Sequence, residues 1–134
     1  MNARARRLAP PLAAGALVAL ATVALRLRDP HVDNSWGVCP TRLVTGLDCP
    51  LCGGLRAVND LTHADVGAAL SSNLLLVLAV PVIIAFWIRR LVVCWRGGEA
   101  MVPLRIAPWV WVGGLAVLSV FTVLRNLPGS WLAA

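Results

Sequence analysis

Three of the four cysteines in this 134-residue chain, Cys39, Cys49 and Cys52, fall within one polar stretch. Sulfur at this spacing supports three kinds of chemistry. The first is a disulfide staple, which persists in oxidising surroundings. Joining Cys39 to Cys49 closes a ring of 11 residues. Chain entropy makes that ring worth roughly 3 kcal/mol, against about 2 kcal/mol for joining Cys49 to Cys52. The wider ring is the better staple and the narrower one the better redox pair.

The second is thiol–disulfide exchange, with Cys49 attacking and Cys52 resolving. A cysteine at a helix N-terminus feels the positive end of the dipole and gains thiolate character. Arg56, one turn beyond Cys52, reinforces this, and Asp48 opposes it. A CxxC pair carries more weight inside a βαβ pattern, and this chain has none. The third is a metal. Cys39, Cys49 and Cys52 with His63 or His31 compose a Cys₃His zinc set, although only Cys49 and Cys52 have a standard ligand spacing. The residues leave all three uses open, in the order structural, redox, metal. The fourth cysteine, Cys94, reads as a small buried apolar residue. Asp33, Asp48, Asp60 and Asp65 face no base in this stretch, which fits solvation better than catalysis.

The elements that must position these thiols are apolar. Hydrophobic residues make up 59% of the chain and charged residues 13%, about half the charged share of a soluble domain. One 134-residue domain cannot bury that excess in its own core, so lipid is the expected solvent. The net charge of +6 comes from twelve Arg and no Lys. They stand singly or in pairs beside apolar runs, without the basic face of a nucleic-acid binder. No nucleic acid and no cofactor is expected.

A bilayer core needs roughly 20 helical residues, and three stretches supply them. The expected layout is a cytoplasmic tail at 1–7, transmembrane helices at 8–27, 73–95 and 106–127, an outward-facing loop at 28–72, a cytoplasmic loop at 96–105 and an outward tail at 128–134. Pro10 and Pro11 fit the first turn of the first helix. Pro81 inside the second implies a kink. Gly15 and Ala19, and Gly113 and Gly114, are places where helices can approach closely. Trp87, Trp95, Trp109 and Trp111 fit one interfacial belt, and Trp36 and Trp131 the other. With the N-terminus inside, seven arginines are cytoplasmic (Arg4, Arg6, Arg7, Arg89, Arg90, Arg96, Arg105) and five are outside (Arg26, Arg28, Arg42, Arg56, Arg125). That is the sense of the positive-inside rule.

The long loop needs order of its own. Asp48 is an expected N-cap, with Pro50 in the first turn of a short amphipathic helix through Leu61. Gly53 and Gly54 would each cost about 1 kcal/mol inside a helix and so favour a tight turn. Asp65 is expected to cap a second short helix through Leu70. Ser71, Ser72 and Asn73 offer a cap for the second span.

The order Cys39-Pro40, Thr45-Gly46, Cys49-Pro50-Leu51-Cys52-Gly53, Arg56-Ala57, Asp65, Ala69-Leu70 and Asn73 resembles the bacterial membrane family called domain of unknown function 2752. The resemblance runs from about Cys39 to Ile88. Leu55 stands where that pattern has Thr, and Ala64 where it has Gly. It implies a small helical membrane protein and no particular reaction. The expected fold is therefore an all-α membrane protein, with three transmembrane helices and one or two short interfacial helices in the first loop. The expected function is a non-enzymatic component of a bacterial plasma membrane, whose cysteine loop is structural or binds a membrane partner or a second copy. A membrane thiol–disulfide oxidoreductase using Cys49 and Cys52, and a zinc module, are the alternatives.

Overall fold

The structure is a computed structural model that describes residues 3–32, 35–37, 39–98 and 107–132. Arg105 and Ile106, expected in the second loop and at the start of the third span, lie outside these residues, as does Asp33. The described chain is all helical: α1 (Ala3–Leu27), α2 (Pro40–Thr45), α3 (Gly54–Thr62), α4 (Val66–Trp95) and α5 (Pro108–Arg125). Among the described residues, α1, α4 and α5 are long and apolar enough to cross a membrane. Their side chains point outward: Leu17 is 69% exposed, Val82 67% and Val112 67%. Apolar surface on this scale needs a nonaqueous surround, which fits a multi-pass membrane protein.

Helices α1 and α4 run antiparallel. Trp87 of α4 lies against Gly15 of α1, where a Cβ would come within 2.5 Å of the indole. The indole Nε1 donates to the carbonyl of Pro11 at 2.9 Å. Trp87 thus packs between the two helices. The close approach expected at Gly15 is present, whereas Gly113 and Gly114 have no neighbour within 4 Å of a built Cβ. Helix α1 begins at Ala3, so Pro10 and Pro11 lie two turns in, not in the first turn. At the same end the Arg4 guanidinium stacks over Trp95 at 4.6 Å, and Arg7 donates to the Gly97 carbonyl.

The other end carries the loop. Asn59 of α3 donates to the Leu25 carbonyl at 2.7 Å and Arg26 of α1 donates to the Thr62 carbonyl, so the C-terminal ends of α1 and α3 each meet a donor from the other. Asp65, expected to cap a separate short helix through Leu70, accepts from the Ala68 amide at 2.9 Å at the start of α4 itself. Helix α4 is broken once, at Asn73 (φ −161°, ψ 93°), and its Oδ1 recaps the next turn by accepting from the Leu76 amide at 3.0 Å. Pro81 keeps helical dihedrals, so the break is one residue-level cap and not a proline effect. Helix α5 packs along none of the other helices to a comparable extent. Its attachment is at its C-terminal turn, and that turn meets the cysteines.

Candidate functional site

Cys39 stands at the N-cap of α2, with Pro40 at the first helical position and Gly46 closing the helix. The chain then passes Asp48 into a turn. The Cys52 amide donates to the Cys49 carbonyl and the Gly54 amide to the Leu51 carbonyl, each at 3.0 Å. Gly53 has φ +73°, a conformation that costs any residue with a Cβ. Helix α3 therefore starts at Gly54. The expected start at Asp48 does not occur: these turns and the positive φ of Gly53 precede the helix, and side chains from elsewhere also bond the carbonyls of the turn.

Those side chains come from two spans. Arg125 Nη1 donates to the carbonyls of Cys49 at 3.1 Å and Cys52 at 3.0 Å. Asn73 Nδ2 donates to the carbonyls of Pro50 and Cys52, both at 3.0 Å. Asn126 accepts from the Asp48 amide and donates to its carbonyl. Arg125 and Asn73 are 1% and 2% exposed, so these bonds form away from water, where leaving a carbonyl unmet is costly.

The clamped turn brings the sulfurs together. Cys49 Sγ lies 2.9 Å from Cys52 Sγ and 3.5 Å from Cys39 Sγ, and all three lie within 4.8 Å of one another. The Cys49 amide donates to Cys52 Sγ at 3.2 Å. All four cysteines are free, and Cys94 is fully buried far along α4. A disulfide needs its sulfurs about 2.05 Å apart, so the expected Cys39–Cys49 and Cys49–Cys52 staples are not formed here. The turn points three sulfurs at one place instead of pairing two.

The thiols differ electrostatically. The Arg42 amide, with lesser help from Cys52 and Cys49, lowers the Cys39 pKa to about 7. Burial, followed by the neighbouring thiols, raises Cys52 to about 12. The thiol whose pKa is lowered is thus Cys39, at the start of α2. The sequence carried the signal for α2: a proline one residue after Cys39 and a glycine at its end.

The cluster opens on a cleft of about 650 Å³, whose walls include Trp36, Arg42, Leu55 and Arg56. Arg56 is held by a bond to the Pro30 carbonyl at 3.4 Å. Neither histidine joins the sulfurs. His63 Nδ1 is 3.0 Å from the Asn59 carbonyl. His31 lies between Asp29 at 2.8 Å and Asp60 at 3.3 Å, and Asp60 also accepts from Ser72 Oγ at 2.9 Å. The hydrogen bonds from His31 hold the Asp29 carboxyl below its ordinary pKa.

Arg125 and Asn126 are the residues that sequence reading missed. Arg125 reads as an outward topology charge at the end of an apolar run, and Asn126 falls inside the expected third span with no role assigned. The one clue was an Arg-Asn pair directly continuing the third span.

With this geometry in view, a protein-family model described as "Protein of unknown function (DUF2752)" matches residues 39–87. The match begins at Cys39, contains the cysteine turn and Asn73, and ends at Trp87. The resemblance seen in the cysteine motif holds over that span. No curated protein and no solved structure matches the chain.

Proposed function

We propose that this is a non-enzymatic membrane protein that holds a thiophilic divalent cation of the zinc class on Cys39, Cys49 and Cys52, and that the ion ties its loop to the ends of α4 and α5. The observation that carries the reading is the convergence of the three Sγ atoms within 4.8 Å. Two thiolates on one tetrahedral zinc ion, at 2.3 Å from it, stand about 3.8 Å apart. The observed 3.5 Å is near that value, and the 2.9 Å pair would open by about 0.9 Å. Backbone clamps fix where the sulfurs stand before any ion arrives, as an outer shell does for metal ligands. The three cysteines line the cleft, so a fourth ligand to such an ion would come from that side. The N-terminus is assigned to the cytoplasm of a bacterial plasma membrane and the thiol site to the opposite face. Arg4, Arg6, Arg7, Arg89, Arg90 and Arg96 then lie on the cytoplasmic side, in support of this orientation.

Purification under reducing conditions, metal analysis and Co²⁺ titration test the site. The expected result is about one metal per chain with thiolate-to-cobalt charge-transfer absorption. Cys39→Ser, Cys49→Ser or Cys52→Ser removes it, and Cys94→Ser does not. A protein that stays largely metal-free after reconstitution, with all its thiols still titratable, overturns the reading.

A second reading rests on the central place of Cys49 Sγ between the other two sulfurs. A partner's disulfide, as oxidant, would be attacked by a thiolate of this cluster, releasing the partner's thiolate, and a second cysteine here would resolve the mixed disulfide. Cys52→Ser should then trap a partner through Cys49. Recovery of no mixed disulfide under oxidising conditions removes this alternative.

A further inference from the structure

Arg125 brings a full charge into the interior at the end of α5, and it is 1% exposed. Its Nη1 is occupied by the Cys49 and Cys52 carbonyls. Its Nε and Nη2, the side-on fork that guanidinium offers to anions, are buried with no hydrogen-bond partner. No carboxylate among the described residues pairs with it. Asp48, whose backbone Asn126 holds, has its Oδ1 3.4 Å from Arg42 Nη1. Phe121 stacks on the guanidinium at 5.3 Å, which does not neutralise it. A buried, uncompensated charge is among the costliest features a fold can carry.

We infer that Arg125 is the counter-charge of the cysteine site, which it equips to hold a thiophilic cation as a negatively charged thiolate complex. This rests on the metal reading above. Three neutral thiols carry no charge, and neither does a disulfide with a third thiol. Both leave Arg125 uncompensated. When a divalent ion binds, three S–H bonds break, three metal–sulfur bonds form and three protons leave to solvent. The complex carries −1, which the +1 of Arg125 offsets. A monovalent soft ion such as Cu⁺, which thiolates also favour, gives −2. Arg125 acts through the backbone of two ligands and through space, so it is a positioning residue.

A clamp and a counter-charge predict different things. Losing a clamp weakens every ion by the same factor. Losing a charge weakens each ion in proportion to the charge of its complex. Zn²⁺ and Cu⁺ affinities are measured by competition with chromophoric chelators for the wild type, Arg125→Gln, Arg125→Lys and Asn126→Ala. Arg125→Gln keeps donors without charge and is expected to lower Zn²⁺ affinity on the order of tenfold to a hundredfold. Cu⁺ affinity falls by about the square of that factor, and Arg125→Lys restores most of both. Asn126→Ala lowers the two equally. Equal losses of both ions in Arg125→Gln, no larger than in Asn126→Ala, overturn the inference while the metal site stands. A wild type that binds neither ion overturns the reading beneath it. Asn126→Asp, which adds an opposing negative charge without truncating the side chain, is a second test if Arg125→Gln does not accumulate. It must weaken Cu⁺ more than Zn²⁺, and equal weakening again overturns the inference.

Discussion

Asn126 accepts from the Asp48 amide at 2.8 Å and donates to the Asp48 carbonyl at 2.9 Å, so one side chain at the end of α5 meets both backbone polar groups of one loop residue. The pair pins the approach to the cysteine turn to the third span. Asp48 is thereby fixed one residue before Cys49, and the Cys49 carbonyl is met by Arg125, one residue before Asn126.

Asn126→Ala removes both bonds and leaves two partly buried backbone groups to find water. It should lower stability by roughly 1–3 kcal/mol. Thermal unfolding in detergent measures this, and tryptic cleavage after Arg42 reports the loosened loop. Wild-type melting and unchanged cleavage would show that the α5 clamp carries no weight.

The α1–α4 contact makes a second prediction. A Cβ at Gly15 would sit 2.5 Å from the Trp87 ring, and the indole cannot retreat without losing its bond to the Pro11 carbonyl. Gly15→Ala should cost about 1–3 kcal/mol, as overpacking does. Gly15→Ala with Trp87→Phe, which shrinks the ring and gives up the bond, should recover part of that loss, so the two changes are non-additive. Additive losses in a double-mutant cycle would place the indole elsewhere.

The thiols give a pH-dependent prediction. In the folded chain Cys39 ionises near 7 and Cys52 near 12, while an ordinary thiol ionises near 8.5. A thiol lowered by folding adds stability that is complete above its unfolded value and disappears as pH falls through 7. Cys52 has the opposite sign, its contribution being complete below the unfolded value and lost as pH climbs toward 12. In metal-free protein, iodoacetamide should alkylate Cys39 with a midpoint near pH 7 and spare Cys52 through pH 9, as read by peptide mass spectrometry. Earlier modification of Cys52 than of Cys39 would contradict the electrostatics of the turn.

Much of the fold was legible because lipid imposes a coarse rule on sequence. Long apolar stretches in a chain with few charges must be helices, and α1, α4 and α5 fall where those stretches are. Local capping chemistry was legible too: Asp65 and Asn73 accept from amides three residues on, a relation that depends only on neighbours in the chain. Other features were misread because residues far along the chain act on them. Asp48-Cys49-Pro50 has the composition of a helix start, yet the helix begins at Gly54, after a turn whose carbonyls Asn73 and Arg125 bond.

The chain's residues by themselves determined the membrane-helix architecture, the cysteine motif and its family resemblance, since hydropathy and short spacings are properties of one segment at a time. Tertiary structure alone decided that Cys39 joins Cys49 and Cys52 in one sulfur cluster, that both histidines stand apart from it, and that Arg125 is buried beneath it. The physical reason is that hydrogen bonds from α4 and α5 place the turn. They span from 21 to 78 residues of chain, and no local pattern records such pairings.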